Sequence, residues 1–196
     1  MLCLGKSLSA ALVVAALALG PVAALAQAPA APPPDSPPAA RPADPFAEEV
    51  TLAPKTIVYL KGTATWDTAF EALIDSFKAV YTFLDRQGIK PAGPAMTIYT
   101  ASDDTGFEYQ AAVPIAEAPK DPPQGDLAVG TSPDGKALKF VHRGSYDSLD
   151  TTYDAITHHL DEKKLEAKDL YVEQYLTDLL TTPEDNLVIE VLVPIK

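Results

Sequence analysis

The chain has 196 residues and a formal net charge of −12, with 15 Lys and Arg against 27 Asp and Glu. A chain this acidic is repelled by phosphate backbones and anionic lipid surfaces, which argues against nucleic acid and charged membranes as partners. Its one cysteine, Cys3, lies near the start, so the rest of the chain offers no disulfide and no thiolate metal site.

Residues 1–26 have the pattern of a secretory leader. Lys6 supplies a short basic segment, an apolar run follows, Gly20 and Pro21 break it, and the stretch closes on the small residues Ala24 and Ala26. Cleavage there would place the protein in the periplasm or outside the cell, with no stable membrane insertion afterwards. The alternative is an uncleaved inner-membrane anchor over residues 7–26. Residues 27–49 begin as a run of Pro and Ala with few apolar anchors, which predicts an extended, solvated linker.

The folded part is expected over residues 50–196, as two repeats spanning 52–117 and 127–196. Gly62 is matched with Gly144, and Val113-Pro114-Ile115 with Val193-Pro194-Ile195. Each repeat reads strand, helix, strand, strand. In the first helix Trp66, Phe70, Leu73, Phe77, Tyr81 and Leu84 recur at three- and four-residue steps, with Thr65 as N-cap and Gly88 as stop. In the second, Tyr146, Leu149, Tyr153, Ile156 and Leu160 recur in the same way behind Ser145. Phe70, Phe77 and Tyr153 are assigned to the core. Strands follow at 96–100, 107–115, 170–176 and 187–195, and residues 127–144 predict a hairpin around Ser132-Pro133-Asp134-Gly135. The resulting fold class is α+β: one antiparallel sheet of about eight strands with two long helices on one face. The other face, or the groove between repeats, is left for a ligand.

The segment Leu170-Tyr171-Val172-Glu173-Gln174-Tyr175-Leu176 sets a carboxylate between two tyrosines in a strand. Alternation puts Tyr171, Glu173 and Tyr175 on one face and turns Val172 and Leu176 to the other, here expected to be the helix side. Aromatic faces around a carboxylate suit an organic cation. The corresponding residue of the first repeat is Thr97, so the two halves share a fold without sharing this charge. The alternatives are a solvated Glu173, or one paired with Lys139 or Arg143.

The stretches FVHRGSYDSLDTTYDAI (140–156) and PAGPAMTIY (91–99), a Glu-x-Tyr strand and a terminal Glu-x-x-x-Pro-Ile strand occur in this order. Over roughly residues 52–196 the chain resembles the gyrase-inhibitor-like small-molecule-binding domain, which is also the effector-binding half of AraC- and MerR-type regulators. The resemblance implies a duplicated βαββ fold with an aromatic cleft between the halves, where an acidic residue meets cationic or amphipathic ligands. By position Glu173 matches the family's central glutamate, Tyr175 the tyrosine two places on, and Glu190 the acidic residue of the last strand. No helix-turn-helix segment precedes the domain, so transcriptional regulation is not expected. Trp66 stands where the family's first repeat has a tyrosine. The expected ligand site is therefore Glu173 and Glu190 with Tyr175, Tyr171, Tyr99 and Trp66, without a metal or cofactor.

Two other functions fit parts of the pattern. A hydrolase would use Glu173 with Tyr175 or Tyr99 as base and proton donor. A haem-binding protein of the SOUL type, which shares the duplicated fold, would use His159 or His158 as axial ligand.

Overall fold

The computed structural model describes residues 46–196. The leader and residues 27–45 of the predicted linker lie outside them. The first described strand, β1 at Glu48–Leu52, begins slightly before the predicted boundary. The chain continues through β2 (Thr56–Thr65), α1 (Ala69–Gln87), β3 (Met96–Ser102) and β4 (Gly106–Pro114). The second half contains β5 (Leu127–Thr131), β6 (Gly135–Arg143), α2 (Leu149–Lys163), β7 (Tyr171–Tyr175) and β8 (Val188–Pro194). Among the described residues no helix is long and apolar enough to cross a membrane.

The two helices form where the apolar stripes placed them. Leu73, Phe77, Val80 and Leu84 of α1 are buried, as are Leu149, Ile156 and Leu160 of α2. Gly88 ends α1 in the left-handed region at φ 66°, a conformation that costs glycine little. The helix starts differ from expectation. Short 3-10 turns at Trp66–Thr68 and Tyr146–Ser148 precede α1 and α2. Thr65 and Ser145 therefore cap no helix: the Thr65 hydroxyl pairs with that of Thr68 at 2.9 Å, and Ser145 donates to the Ser148 hydroxyl.

All eight strands form one antiparallel sheet in the order β1-β6-β8-β7-β3-β4-β2-β5. The expected hairpin over 127–144 does not form. β5 pairs with β2 of the first half, and β6 pairs with β1 and β8. Each half thus receives its outer strand from the other. Pro133 and Gly135, at φ 101°, lie in and just after the turn that sends the chain from one edge to the other.

The short connectors 53–55 and 132–134 dictate the shape of the sheet. In a flat sheet β1 and β2 would lie about 29 Å apart, at ~4.8 Å per strand. The chain from Leu52 to Thr56 reaches at most about 14 Å. The sheet must therefore curl until its two edges approach. The connectors meet there: Ser132 donates its backbone N–H to the Lys55 carbonyl at 2.8 Å, and its hydroxyl accepts from the Lys55 N–H at 3.0 Å. Curling fills the face without helices, where Ile57, Met96, Ile98, Ala112, Val172 and Leu192 form a second small core. That face is not left open for a ligand.

Strand registers correct the internal alignment. Val58 opposes Val113 as Leu138 opposes Val193, and Gly62 opposes Tyr109 as His142 opposes Ile189. The equivalent of Gly62 is therefore His142, not Gly144. Gly62 is needed for space: the Tyr109 ring lies across it, so that its hydroxyl sits 2.9 Å from Ser76 Oγ and donates to the Ala72 carbonyl. Gly144 instead adopts φ 129° in the turn after β6. Gly62→Val would push Tyr109 off α1 and is expected to cost about 1–3 kcal/mol of stability, read as a lower midpoint in urea unfolding.

Candidate ligand-binding site

β3 and β7 are neighbours at the centre of the sheet and form the seam between the halves, with Thr97 directly opposite Glu173. Their equivalence also holds in register: Thr97 opposes Ala111 on β4, and Glu173 opposes Val191 on β8. The first turns of α1 and α2 stand over this seam and leave a cleft of about 950 Å³ between them.

Tyr171, Glu173 and Tyr175 share a face, as alternation predicted, but it is the helix-bearing face. Tyr175 packs edge-on against Phe77 of α1, at 5.5 Å between ring centroids. Val172 points into the second core on the opposite side, and Leu176 is exposed. The orientation is set by burial, since the tyrosine rings offer more apolar surface to the helices than Val172 does.

Glu173 is 1% exposed, and among the described residues no lysine or arginine lines the cleft with it. Its Oε2 accepts hydrogen bonds from the Tyr99 hydroxyl at 2.9 Å and the Tyr175 hydroxyl at 3.0 Å. Its Oε1 accepts from the Tyr153 hydroxyl at 2.9 Å. The Tyr146 hydroxyl is 2.8 Å from that of Tyr99, and the Tyr175 hydroxyl is 2.8 Å from Thr97 Oγ1. Because Tyr99 and Tyr175 direct their protons at the carboxylate, Tyr146 and Thr97 donate to them in turn. Lys139, an alternative partner for Glu173, instead binds Glu48 at 2.6 Å.

This arrangement has clear electrostatic consequences. Burial pushes the Glu173 carboxyl above its ordinary value of 4.5, and the tyrosine hydroxyls pull part of the way back. Burial and then the Glu173 charge raise Tyr99, Tyr153 and Tyr175 well above 10.0. Tyr146 is raised well above 10.0 for the same two reasons. The phenols therefore remain protonated donors at neutral pH.

The structure brings together most of the residues expected at the site. Tyr99, Tyr171, Glu173 and Trp66 line the cleft, with Tyr175 immediately behind the carboxylate. Trp66 is half-exposed at the rim, packed at a tilt against Phe107 at 4.9 Å between ring centroids and tied by its ring N–H to the Asp103 carbonyl. Glu190 is not part of the cleft. On β8 it is Ile189 and Val191 that join the helix-side core, so Glu190 points to the other face, where it accepts from Gln174 and lies 3.8 Å from Lys139.

Sequence reasoning missed Tyr153, Tyr146 and Phe70, which line the cleft although Tyr153 and Phe70 had been assigned to the core. The available signal was the hydroxyl: a tyrosine on a buried stripe needs a polar partner, and a phenylalanine does not. It also missed the rim, where Asp67, Glu71, Asp147, Asp150 and Asp154 surround the opening without a lysine or arginine. Several occupy first turns of helices, where the helix dipole also favours acids.

The histidines lie elsewhere. His142 is held by Thr152 and the Ser145 carbonyl, His158 faces Glu162, and His159 packs on Phe140 and Phe46. None lines the cleft. Among the described residues no group of His, Cys, Asp and Glu is gathered for a metal ion.

The fold is shared with known structures. EcmrR in its complex with DNA superimposes with a TM-score of 0.66 at 13% identity, covering 76% of this chain and 57% of that one. This chain thus spans little more than half of EcmrR. The EcmrR C-terminal domain matches at 0.61 with 12% identity, covering 76% of this chain and 96% of that domain. SAV2435 bound to tetraphenylphosphonium matches at 0.55 with 16% identity, covering 76% and 93%. No curated protein matches the sequence significantly. The sequence profile of the GyrI-like small molecule binding domain matches residues 47–196, the whole of the curled sheet with its two helices, so this chain belongs to the GyrI-like family.

Proposed function

We propose that this is an exported small-molecule-binding protein whose cleft takes a cationic or amphipathic ligand. The observation that carries the reading is a buried carboxylate without a basic partner, at the base of an aromatic cleft with an acidic rim. A lipophilic cation entering there gains the charge of Glu173 and the faces of the surrounding rings. The rim raises the local concentration of such molecules. Tetraphenylphosphonium, bound by the structural neighbour SAV2435, is a probe of this class. A hydrolytic reading would use the same Glu–Tyr pairs. Binding is favoured because Tyr99, Tyr153 and Tyr175 direct their protons at Glu173, leaving none of the three aimed at a leaving group.

Glu173→Gln is expected to weaken tetraphenylphosphonium binding roughly tenfold or more, the scale of a desolvated cation contact of ~2 kcal/mol. Calorimetric titration of both proteins measures this, and equal affinities would remove Glu173 from the site.

Binding should also depend on pH with a defined sign. A cation prefers the ionised carboxylate, and Glu173 ionises above the ordinary value of 4.5. Affinity should therefore fall as the solution is acidified through that raised pKa, and stay flat in Glu173→Gln. Stability of the free protein should move the opposite way. An acid whose folded pKa is raised carries no penalty below its unfolded pKa and the full penalty above its folded one. Wild type should thus gain stability relative to Glu173→Gln over the same acid range, seen in pH-dependent thermal melts.

Export rests on the leader pattern of residues 1–26. N-terminal sequencing of protein from the envelope fraction should begin at Gln27, whereas an intact start in the membrane fraction would favour the anchor.

A further inference from the structure

His142 is buried and does not line the cleft, yet it reaches the segment that does. The duplication shows what it replaces. By register His142 is the equivalent of Gly62, and Ile189 is that of Tyr109. The halves therefore exchange which strand supplies a ring: Tyr109 across Gly62 in the first, His142 beside Ile189 in the second. Tyr109 sends its hydroxyl to Ser76 and the Ala72 carbonyl of α1, neither of which lines the cleft. His142 instead bonds to Ser145 and Thr152, on either side of the 3-10 turn Tyr146–Ser148.

The partners fix the ring. The Ser145 carbonyl, 3.0 Å from Nε2, only accepts, so Nε2 carries a proton. Nδ1 lies 2.8 Å from the Thr152 hydroxyl, which serves as donor or acceptor as the ring requires. One imidazole thus joins the entry of the turn to α2 and both to the sheet. Gly144, whose N–H bonds the Leu187 carbonyl at 3.0 Å, is the attachment just before it.

The same register makes Tyr146 the equivalent of Trp66, four residues beyond each position. Gly62 puts no side chain under the first turn, and Trp66 is half-exposed and tied outward to the Asp103 carbonyl. His142 lies under the second turn, and Tyr146 points inward. Its hydroxyl donates to that of Tyr99 at 2.8 Å, and Tyr99 donates to Glu173 at 2.9 Å. Its ring meets Phe70 of α1 at 5.3 Å between centroids.

We propose that His142 is a positioning residue for the cleft: its imidazole pins the Tyr146–Ser148 turn to α2 and so sets Tyr146 inward, where it backs Tyr99 and forms a wall with Phe70. Without the pin the turn keeps its internal Ser148 N–H to Ser145 carbonyl bond but is free to swing as a unit.

The test compares His142→Gln with His142→Asn in the full chain. A glutamine carries its amide nitrogen about as far from the backbone as Nε2 and still donates to the Ser145 carbonyl. An asparagine reaches only as far as Nδ1, so it keeps Thr152 and loses Ser145. Two readouts need no ligand: the titration of Glu173, followed by the carbon-13 shift of its carboxyl, and the nuclear Overhauser contact between the Tyr146 and Phe70 rings. Burial raises the Glu173 carboxyl, and the hydroxyls of Tyr99, Tyr153, Tyr175 and Tyr146 pull it back. The acids of the rim are the same in every variant, so their effect cancels.

His142→Gln should match wild type in both readouts. His142→Asn should raise the Glu173 midpoint by roughly half a pH unit, the scale of one weakened hydrogen bond, and lose most of the ring contact. In a Tyr146→Phe background, where the hydroxyl is already gone, the asparagine should move the midpoint no further. Equal readouts for glutamine and asparagine, or an asparagine shift that persists in full with Tyr146→Phe, overturns the assignment. If His142→Asn does not fold, Thr152→Val takes its place. It changes a half-buried position and frees the ring from α2. The midpoint should again rise, and an unmoved one overturns the assignment equally. Neither result bears on whether the cleft binds cations.

Discussion

A carboxylate kept out of water needs a reason to remain, and here the reason is a set of hydroxyls. Removing an ionised glutamate from solvent costs several kcal/mol, and a hydrogen bond to a charged group returns about 1.5–3 kcal/mol. Three phenol donors at about 3 Å, backed by Tyr146 and Thr97, bring these terms to the same order. A lysine or arginine could have balanced the charge as well, but it would have filled the site. Hydroxyls hold the carboxylate and leave its net charge unanswered, which is the condition for a ligand cation to matter.

The rest of the architecture serves that placement. β3 and β7 bring Thr97, Tyr99, Glu173 and Tyr175 onto one patch, while α2 and the turn before it supply Tyr153 and Tyr146 from above. The first turns of the two helices part over the seam and admit a ligand. The short connectors curl the sheet and fill the opposite face with Met96, Ile98, Val172 and Leu192. The described cleft of this size is consequently the one on the helix side.

Much of this could be read from the residues. The stripes of Leu73, Phe77 and Leu84 and of Leu149, Ile156 and Leu160 specified both helices, because a 3.6-residue period needs no knowledge of the partner. The duplication marked Thr97 as the counterpart of Glu173, and the registers agree. What failed depended on long-range pairing. β1 and β5 are five-residue edge strands, and nothing in their short alternation says which half they join. Tyr-Glu-Tyr on β7 resembles a wet face by polarity, so its side of the sheet was inverted. Only the hydroxyl partners show that these groups are satisfied inside. Glu190 carried a plausible motif on a strand whose inward residues are its neighbours Ile189 and Val191.

The pairing of Thr97 with Glu173 has a consequence for how such a pocket can exist at all. Were the two halves identical copies meeting about a twofold axis, each would present a glutamate to its twin across adjacent strands. Two acids at that separation resist ionising together, so one would hold its proton or both would seek water. Joining the copies in a single polypeptide frees one from matching the other. Threonine on one side and glutamate on the other leaves a single buried carboxylate at the seam of an otherwise duplicated fold.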